Sequence, residues 1–85
     1  MNYLHFDVGN QQAGTVVQAS LRGSESDVFL VDRTNFSKFK RGQSFKYTGG
    51  HYNRSPITLQ VPQTGHWTAI VIPSGRVEAS VDVLG

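Results

Sequence analysis

The chain has 85 residues, no cysteine, and eight Lys and Arg against six Asp and Glu, a formal charge of +2. That length allows one small domain that hides only about 60–65% of its unfolded surface, and without cysteine it has no disulfide staple and no thiolate chemistry. Charged residues are 16%, and uncharged Ser, Thr, Asn and Gln outnumber them, a composition suited to an all-β domain rather than a helical bundle.

Asn2-Tyr3-Leu4-His5-Phe6-Asp7-Val8 alternates, with Leu4, Phe6 and Val8 on one side and Tyr3, His5 and Asp7 on the other. A period of two predicts a half-buried strand. Gly9-Asn10 opens a loop that reaches Gly14. A β-branched segment over 15–21 predicts a second strand, closed by Arg22-Gly23-Ser24. Asp27-Val28-Phe29-Leu30-Val31-Asp32, an apolar run between acids, predicts a buried central strand.

The period then changes. Residues 34–42 carry an N-cap candidate at Thr34 or Asn35, Phe36 and Phe39 three apart, basic residues in the last turn and a glycine stop at Gly42. These predict a helix of one to two turns near residues 34–41, with Phe36 and Phe39 anchoring it to the core. Ser44 to Thr48 alternates again, Gly49-Gly50 predicts a turn, and His51 to Arg54 a short return segment. Strands are predicted over 57–61, 67–72 and 76–83, with turn chemistry at Pro62-Gln63-Thr64-Gly65 and Pro73-Ser74-Gly75. Such short connections favour an antiparallel meander. The expected fold is all-β, a small antiparallel β-sandwich or β-prism-like single domain spanning 1–85.

The charge is unevenly spread. Residues 33–54 hold Arg33, Lys38, Lys40, Arg41, Lys46 and Arg54, six of the eight cations, with five of the nine aromatic residues and not one carboxylate. The remainder carries −4. Cations interleaved with rings suit an anionic, flat ligand. Within this segment Lys46-Tyr47-Thr48-Gly49-Gly50-His51-Tyr52, with Arg54, is the main candidate site. There Tyr47 or Tyr52 offers a stacking face, His51 a hydrogen bond to phosphate or ribose, and Gly49-Gly50 close backbone access or an anion nest. A tight hairpin edged by solvated Lys and Arg explains the same residues without a ligand.

Catalytic signatures are missing from the sequence: no G-x-S-x-G elbow, phosphate loop or zinc-protease helix occurs. The expectation is therefore a non-enzymatic protein. His5 and Asp7, two apart on a strand, read as a surface pair rather than as metal ligands. His66 reads as a turn residue and Trp67 as core or interface. No apolar run approaches the ~18 residues that cross a bilayer, and the N-terminus lacks the features of a signal peptide, so a cytoplasmic protein with no membrane partner is expected. A small core without staples also favours a homo-oligomer.

Several blocks bear on family. Asn35-Phe36-Ser37, Arg41-Gly42, Tyr47-Thr48-Gly49-Gly50-His51-Tyr52, Pro56, Pro62 and Gly65-His66-Trp67, together with Met1-Asn2-Tyr3-Leu4-His5 and Val28-Phe29-Leu30-Val31-Asp32, resemble the DUF1883 family of small bacterial domains. The resemblance implies an all-β fold found alone or beside TIR domains, and thereby a nucleotide-like ligand. It assigns no catalytic residue and no cofactor.

Three function classes follow as expectations. The first is a binding protein for a phosphorylated, nucleotide-derived small molecule, such as a TIR-type immune signal that it would sequester, held by Arg33, Lys40, Arg41, Lys46, Tyr47, Gly49, Gly50, His51, Tyr52 and Arg54. The second is a single-stranded nucleic-acid binding module. The third is a structural or assembly module docking an acidic protein partner.

Overall fold

A computed structural model describes residues 2–85; Met1 of the opening block lies outside them. Among the described residues seven strands and one helix run in the order β1 (Leu4–Gln11), β2 (Val16–Gly23), β3 (Ser26–Asp32), α1 (Arg33–Lys40), β4 (Thr48–Tyr52), β5 (Ile57–Gln60), β6 (Gly65–Pro73) and β7 (Val77–Val83). All pairings are antiparallel. The strands form two sheets, β1-β6-β3-β4 and β5-β2-β7, so the all-β sandwich expected from the alternation is present.

The core lies between the sheets. Leu30, Val61, Trp67 and Ala69 meet Val17 at one end, and Val28, Val71 and Ile57 meet Ala19 at the other. Phe6 bridges the two groups from β1. Trp67 is 6% exposed and its indole N–H donates to the Gln63 carbonyl at 2.8 Å, which satisfies its polar edge without opening the core.

The C-terminal third corrects the expected meander. Strand β5 pairs with β2, β6 lies between β1 and β3, and β7 pairs with β2. Each of the two connections therefore crosses from one sheet to the other. Burial explains why β6 is central: Trp67, Ala69 and Val71 face the core, and Thr68 and Ile70, which point the opposite way, are buried as well. A strand covered on both faces needs a layer outside the sandwich. Helix α1, packed against β3 and β6, supplies it and also covers Val31.

The helix begins earlier than the capping residues suggested. Asp32, not Thr34 or Asn35, is the N-cap, and its Oδ1 accepts from Asn35 N at 2.8 Å. The end is as expected at Gly42. Gly42 has φ +73°, its N–H donates to the Phe39 carbonyl and the Gln43 N–H to that of Lys38, the paired bonds of a glycine-terminated helix. Asp32→Ala is expected to lower stability by about 1 kcal/mol and Asp32→Asn by only a few tenths, since Asn caps as well as Asp; thermal or urea unfolding of the two variants checks this.

The middle segment also differs from expectation. Residues 43–47 are not a strand, and Gly49-Gly50 is not a turn. Both glycines sit inside β4, with Gly49 opposite Phe29 and Gly50 opposite Val28. Gly49 has φ +142°, and a Cβ there would fall 2.0 Å from the Val28 carbonyl oxygen. The glycine is required by the approach of β3, so its backbone serves the sheet and not a ligand nest.

Candidate functional site

The outer face of the four-stranded sheet carries an aromatic layer. In β3, Val28 and Leu30 face the core, so the period of two turns Phe29 outward. Tyr47 rests on the Phe29 ring at 4.2 Å, and Phe45 contacts both, at 5.4 and 6.0 Å. The layer continues from Phe45 to Phe39 at 5.3 Å and on to Tyr3 at 4.9 Å, both edge-to-face. Phe36 meets His5 at 5.4 Å and carries the Lys40 ammonium 4.6 Å above its ring. Phe36, Phe39 and Phe45 are half-buried, so most of this layer anchors the helix and its following loop. Tyr47 is the exception, at 52% exposed.

Asn35 fixes the loop that presents Tyr47. Its Nδ2 donates to Asp32 Oδ1 at 2.9 Å, and its Oδ1 accepts from Lys46 N at 2.8 Å. One side chain thus ties the helix N-terminus to the residue preceding Tyr47. Beside this clasp lies a groove of about 170 Å³ lined by Asp32, Asn35, Lys46, Tyr47, Thr48, Pro62, Gln63 and Trp67. A larger depression, about 340 Å³, lies on the other sheet over Ser20, Arg22, Glu78 and Ser80, where the charge is mixed and no ring is exposed. The groove beside Tyr47 is where the chemistry gathers.

All six cations of residues 33–54 are exposed, and no Lys or Arg among the described residues lies within 4.0 Å of a carboxylate. Their placement is uneven. Lys46 lines the groove, Lys40 and Arg41 close the helix, Lys38 lies in its last turn, and Arg33 opens it. Arg54 lies beyond the far end of β4, in a small depression that Glu25 also lines. Tyr52 faces inward and packs against the core, leaving Tyr47 as the free ring of the pair.

His51 is engaged by acids. It lies opposite Asp27 across the strands, with Nδ1 2.7 Å from Asp27 Oδ1 and Nε2 3.5 Å from Glu25 Oε1. The hydrogen bond to Asp27, supported by Glu25, raises its pKa above 6.5. Both ring nitrogens face carboxylates, so this histidine stands in an acidic patch apart from Lys46 and Tyr47. The sign of the linkage follows. The protonated form is favoured in the fold, so its contribution is complete below pH 6.5 and fades as pH rises through the raised value. An NMR titration is expected to show His51 titrating above 6.5, and Asp27→Asn returning it toward that value.

His5 does not pair with Asp7. Asp7 instead accepts from Gly9 N and meets His66 Nε2 at 2.8 Å, and His66 lies in β6, not in a turn. Among the described residues no three His, Asp or Glu converge in a way that holds a metal ion. No described helix is long and apolar enough to cross a membrane. The contributions of Phe29 and Asn35 were missed from sequence. Phe29 has a visible signal, since it alternates with Val28 and Leu30 and so lies on the opposite face of an apolar run; Asn35 acts through the folding back of a loop, which no local pattern encodes.

The family model described as a domain of unknown function, DUF1883, matches residues 1–85, the whole chain. The chain belongs to the DUF1883 family. No curated protein and no solved structure matches it. Family membership therefore adds no named ligand, and the arrangement around Tyr47 has to be interpreted on its own geometry. In this DUF1883 domain the block Tyr47-Thr48-Gly49-Gly50-His51-Tyr52 divides in three. Tyr47 lies on the exposed aromatic layer, Gly49 makes the close strand contact, and His51 belongs to the acidic patch.

Proposed function

We propose that this DUF1883 domain is a non-enzymatic binding module for an anionic ligand bearing one flat ring, a nucleotide-derived small molecule. The observation that carries this reading is Tyr47: half-exposed, seated on Phe29 at 4.2 Å, and preceded in the chain by the unpaired Lys46. A ring held from beneath loses little freedom when a base stacks on it, and an unpaired ammonium beside it neutralises phosphate. Lys40 and Arg41 extend the positive field along the helix end.

The same geometry ranks the alternatives. A single-stranded nucleic acid needs successive stacking platforms. Here Phe39 packs edge-on against Tyr3 and Phe45, and among the described Phe, Tyr and Trp residues Tyr47 alone is exposed. One platform suits one base. The groove, about 170 Å³, falls below the ~300 Å³ at which small-molecule pockets usually begin, so the ligand lies across the surface and is not engulfed. The TIR association implied by family resemblance selects the first probes: ADP-ribose, its cyclic isomers and cyclic dinucleotides. Calorimetric titration is expected to give heat with one of these and no further gain in affinity along a series of oligothymidylates. Silence with every nucleotide removes this reading; affinity that climbs with strand length and falls steeply with salt replaces it with the nucleic-acid one.

A further inference from the structure

The two sheets leave four edges, and three are protected against pairing with another chain. Strand β5 has four residues, β1 is interrupted by a register shift between Asp7 and Gly9, and β4 contains Gly49 at φ +142°. The fourth, β7, is seven residues long, pairs with β2 in unbroken register, and has no Pro, Lys or bulge. Long regular edges of this kind are templates for an added strand.

Backbone directions along β7 are fixed by its existing bonds. Ser24 N donates to the Arg76 carbonyl, and Leu84 N donates to that of Val16. Arg76 and Leu84 therefore turn their backbone groups toward β2, and by the alternation of an antiparallel ladder so do Glu78, Ser80 and Asp82. Val77, Ala79, Val81 and Val83 point their N–H and C=O groups at the open side. The side chains of Val77, Ala79 and Val81 face the core and Val83 is exposed at the end of the strand, while Arg76, Glu78, Ser80 and Asp82 on the opposite face are exposed too.

We infer that this edge pairs with a second copy of the chain, β7 against β7, antiparallel about a two-fold axis at Ala79. The charge pattern selects both the occupant and the register. Centred on Ala79, Arg76 faces the partner's Asp82, twice by symmetry, Glu78 faces Ser80, and the free backbone groups of residues 77–81 all find partners. Centring on Ser80 sets Glu78 against Asp82 twice, and centring on Val81 shortens the overlap and leaves Asp82 without a cation. Opposite charges across an antiparallel pair stabilise it and like charges oppose it. The joined sheet has six strands, β5-β2-β7-β7-β2-β5, and an isologous contact of this type closes without polymerising. The aromatic layer lies on the other sheet, so this inference is independent of the ligand proposed above.

Sedimentation equilibrium tests it, with the intact chain from about 10 μM to about 1 mM, the range in which weak dimers are resolved. The expected result is a monomer–dimer equilibrium. Arg76→Asp and Asp82→Arg singly place like charges opposite each other at two sites, and each is expected to weaken the dimer about tenfold or more. The combined charge swap restores the opposite pairs and is expected to return the dissociation constant to within about threefold of the original. Both positions are exposed and lie opposite the uncharged Ser24 and Gln18 within the chain, so unfolding midpoints stay close to the parent. A chain that remains monomeric to the top concentration overturns the inference, and so does a dimer indifferent to the single reversals or not recovered by the swap.

Discussion

Gly49→Ala is expected to destabilise the domain by roughly 3–5 kcal/mol, the sum of an overpacked contact and a strained backbone conformation. The new methyl carbon would fall 2.0 Å from the Val28 carbonyl oxygen and 3.1 Å from the Phe29 Cα, both backbone atoms of a central strand. Neither yields by a rotamer change. At φ +142° any L-residue is disfavoured even in open space. A domain of this length has only about 4–13 kcal/mol of stability in total, so the variant stands near the edge of folding. Gly50→Ala is the matched control. A Cβ at that neighbouring position meets nothing closer than the Tyr52 hydroxyl at 3.9 Å, and its cost is expected to stay within about 1 kcal/mol. Urea unfolding followed by far-UV circular dichroism measures both, and equal midpoints for the two variants would contradict the packing assigned to Gly49.

That contrast also shows what the amino-acid order conveys. Alternation identified the strand around Phe6, an apolar run between acids the one around Val28, turn chemistry bounded the one around Ala79, and Gly42 marked the helix end, because all of these signals are local. Pairing is different. Strands β5, β6 and β7 follow one another with short connections, and proximity in sequence suggested a meander that the structure replaces with crossings between sheets. A usable signal was present: Trp67 to Ile72 is apolar almost without interruption, the mark of a strand covered on both faces, whereas Val77 to Val83 alternates cleanly. A strand buried on both sides belongs at the centre of the covered sheet, and the alternating one belongs elsewhere. The glycine pair misled because two adjacent glycines permit either a turn or a tight strand contact, and only the position of β3 decides between them.

The candidate site was legible in part for a related reason. Clustering along the chain singles out residues 33–54, yet β4 lies across that segment and separates its ends. Lys46 and Tyr47 enter the strand beside the helix, and Arg54 leaves it next to Glu25. Residues on alternate sides of a strand diverge however close their numbers are. Hence Tyr52 joins the core while His51, one residue earlier, faces Asp27.

Tyr47→Ala is accordingly expected to lower affinity for the planar anionic ligand about 10- to 100-fold, the ~1–3 kcal/mol that base stacking on an aromatic ring contributes. Its effect on folding should stay near 1 kcal/mol, because the ring is half in solvent and touches chiefly Phe29 and Phe45. The charged positions supply the geometric half of the test. Lys46→Gln removes a cation at the groove and is expected to weaken binding several-fold while flattening its salt dependence, since one fewer counterion is exchanged. Arg54→Gln removes the same charge at the far end of β4 and is expected to leave affinity unchanged within about twofold at physiological salt, because a charge more than a Debye length of ~8 Å away is largely screened. Titrations of the three variants against whichever nucleotide binds the parent chain separate a local site from diffuse attraction. Equal losses at Lys46 and Arg54 mean that the ligand follows net charge alone, and undiminished binding by Tyr47→Ala removes the stacking platform on which the reading rests.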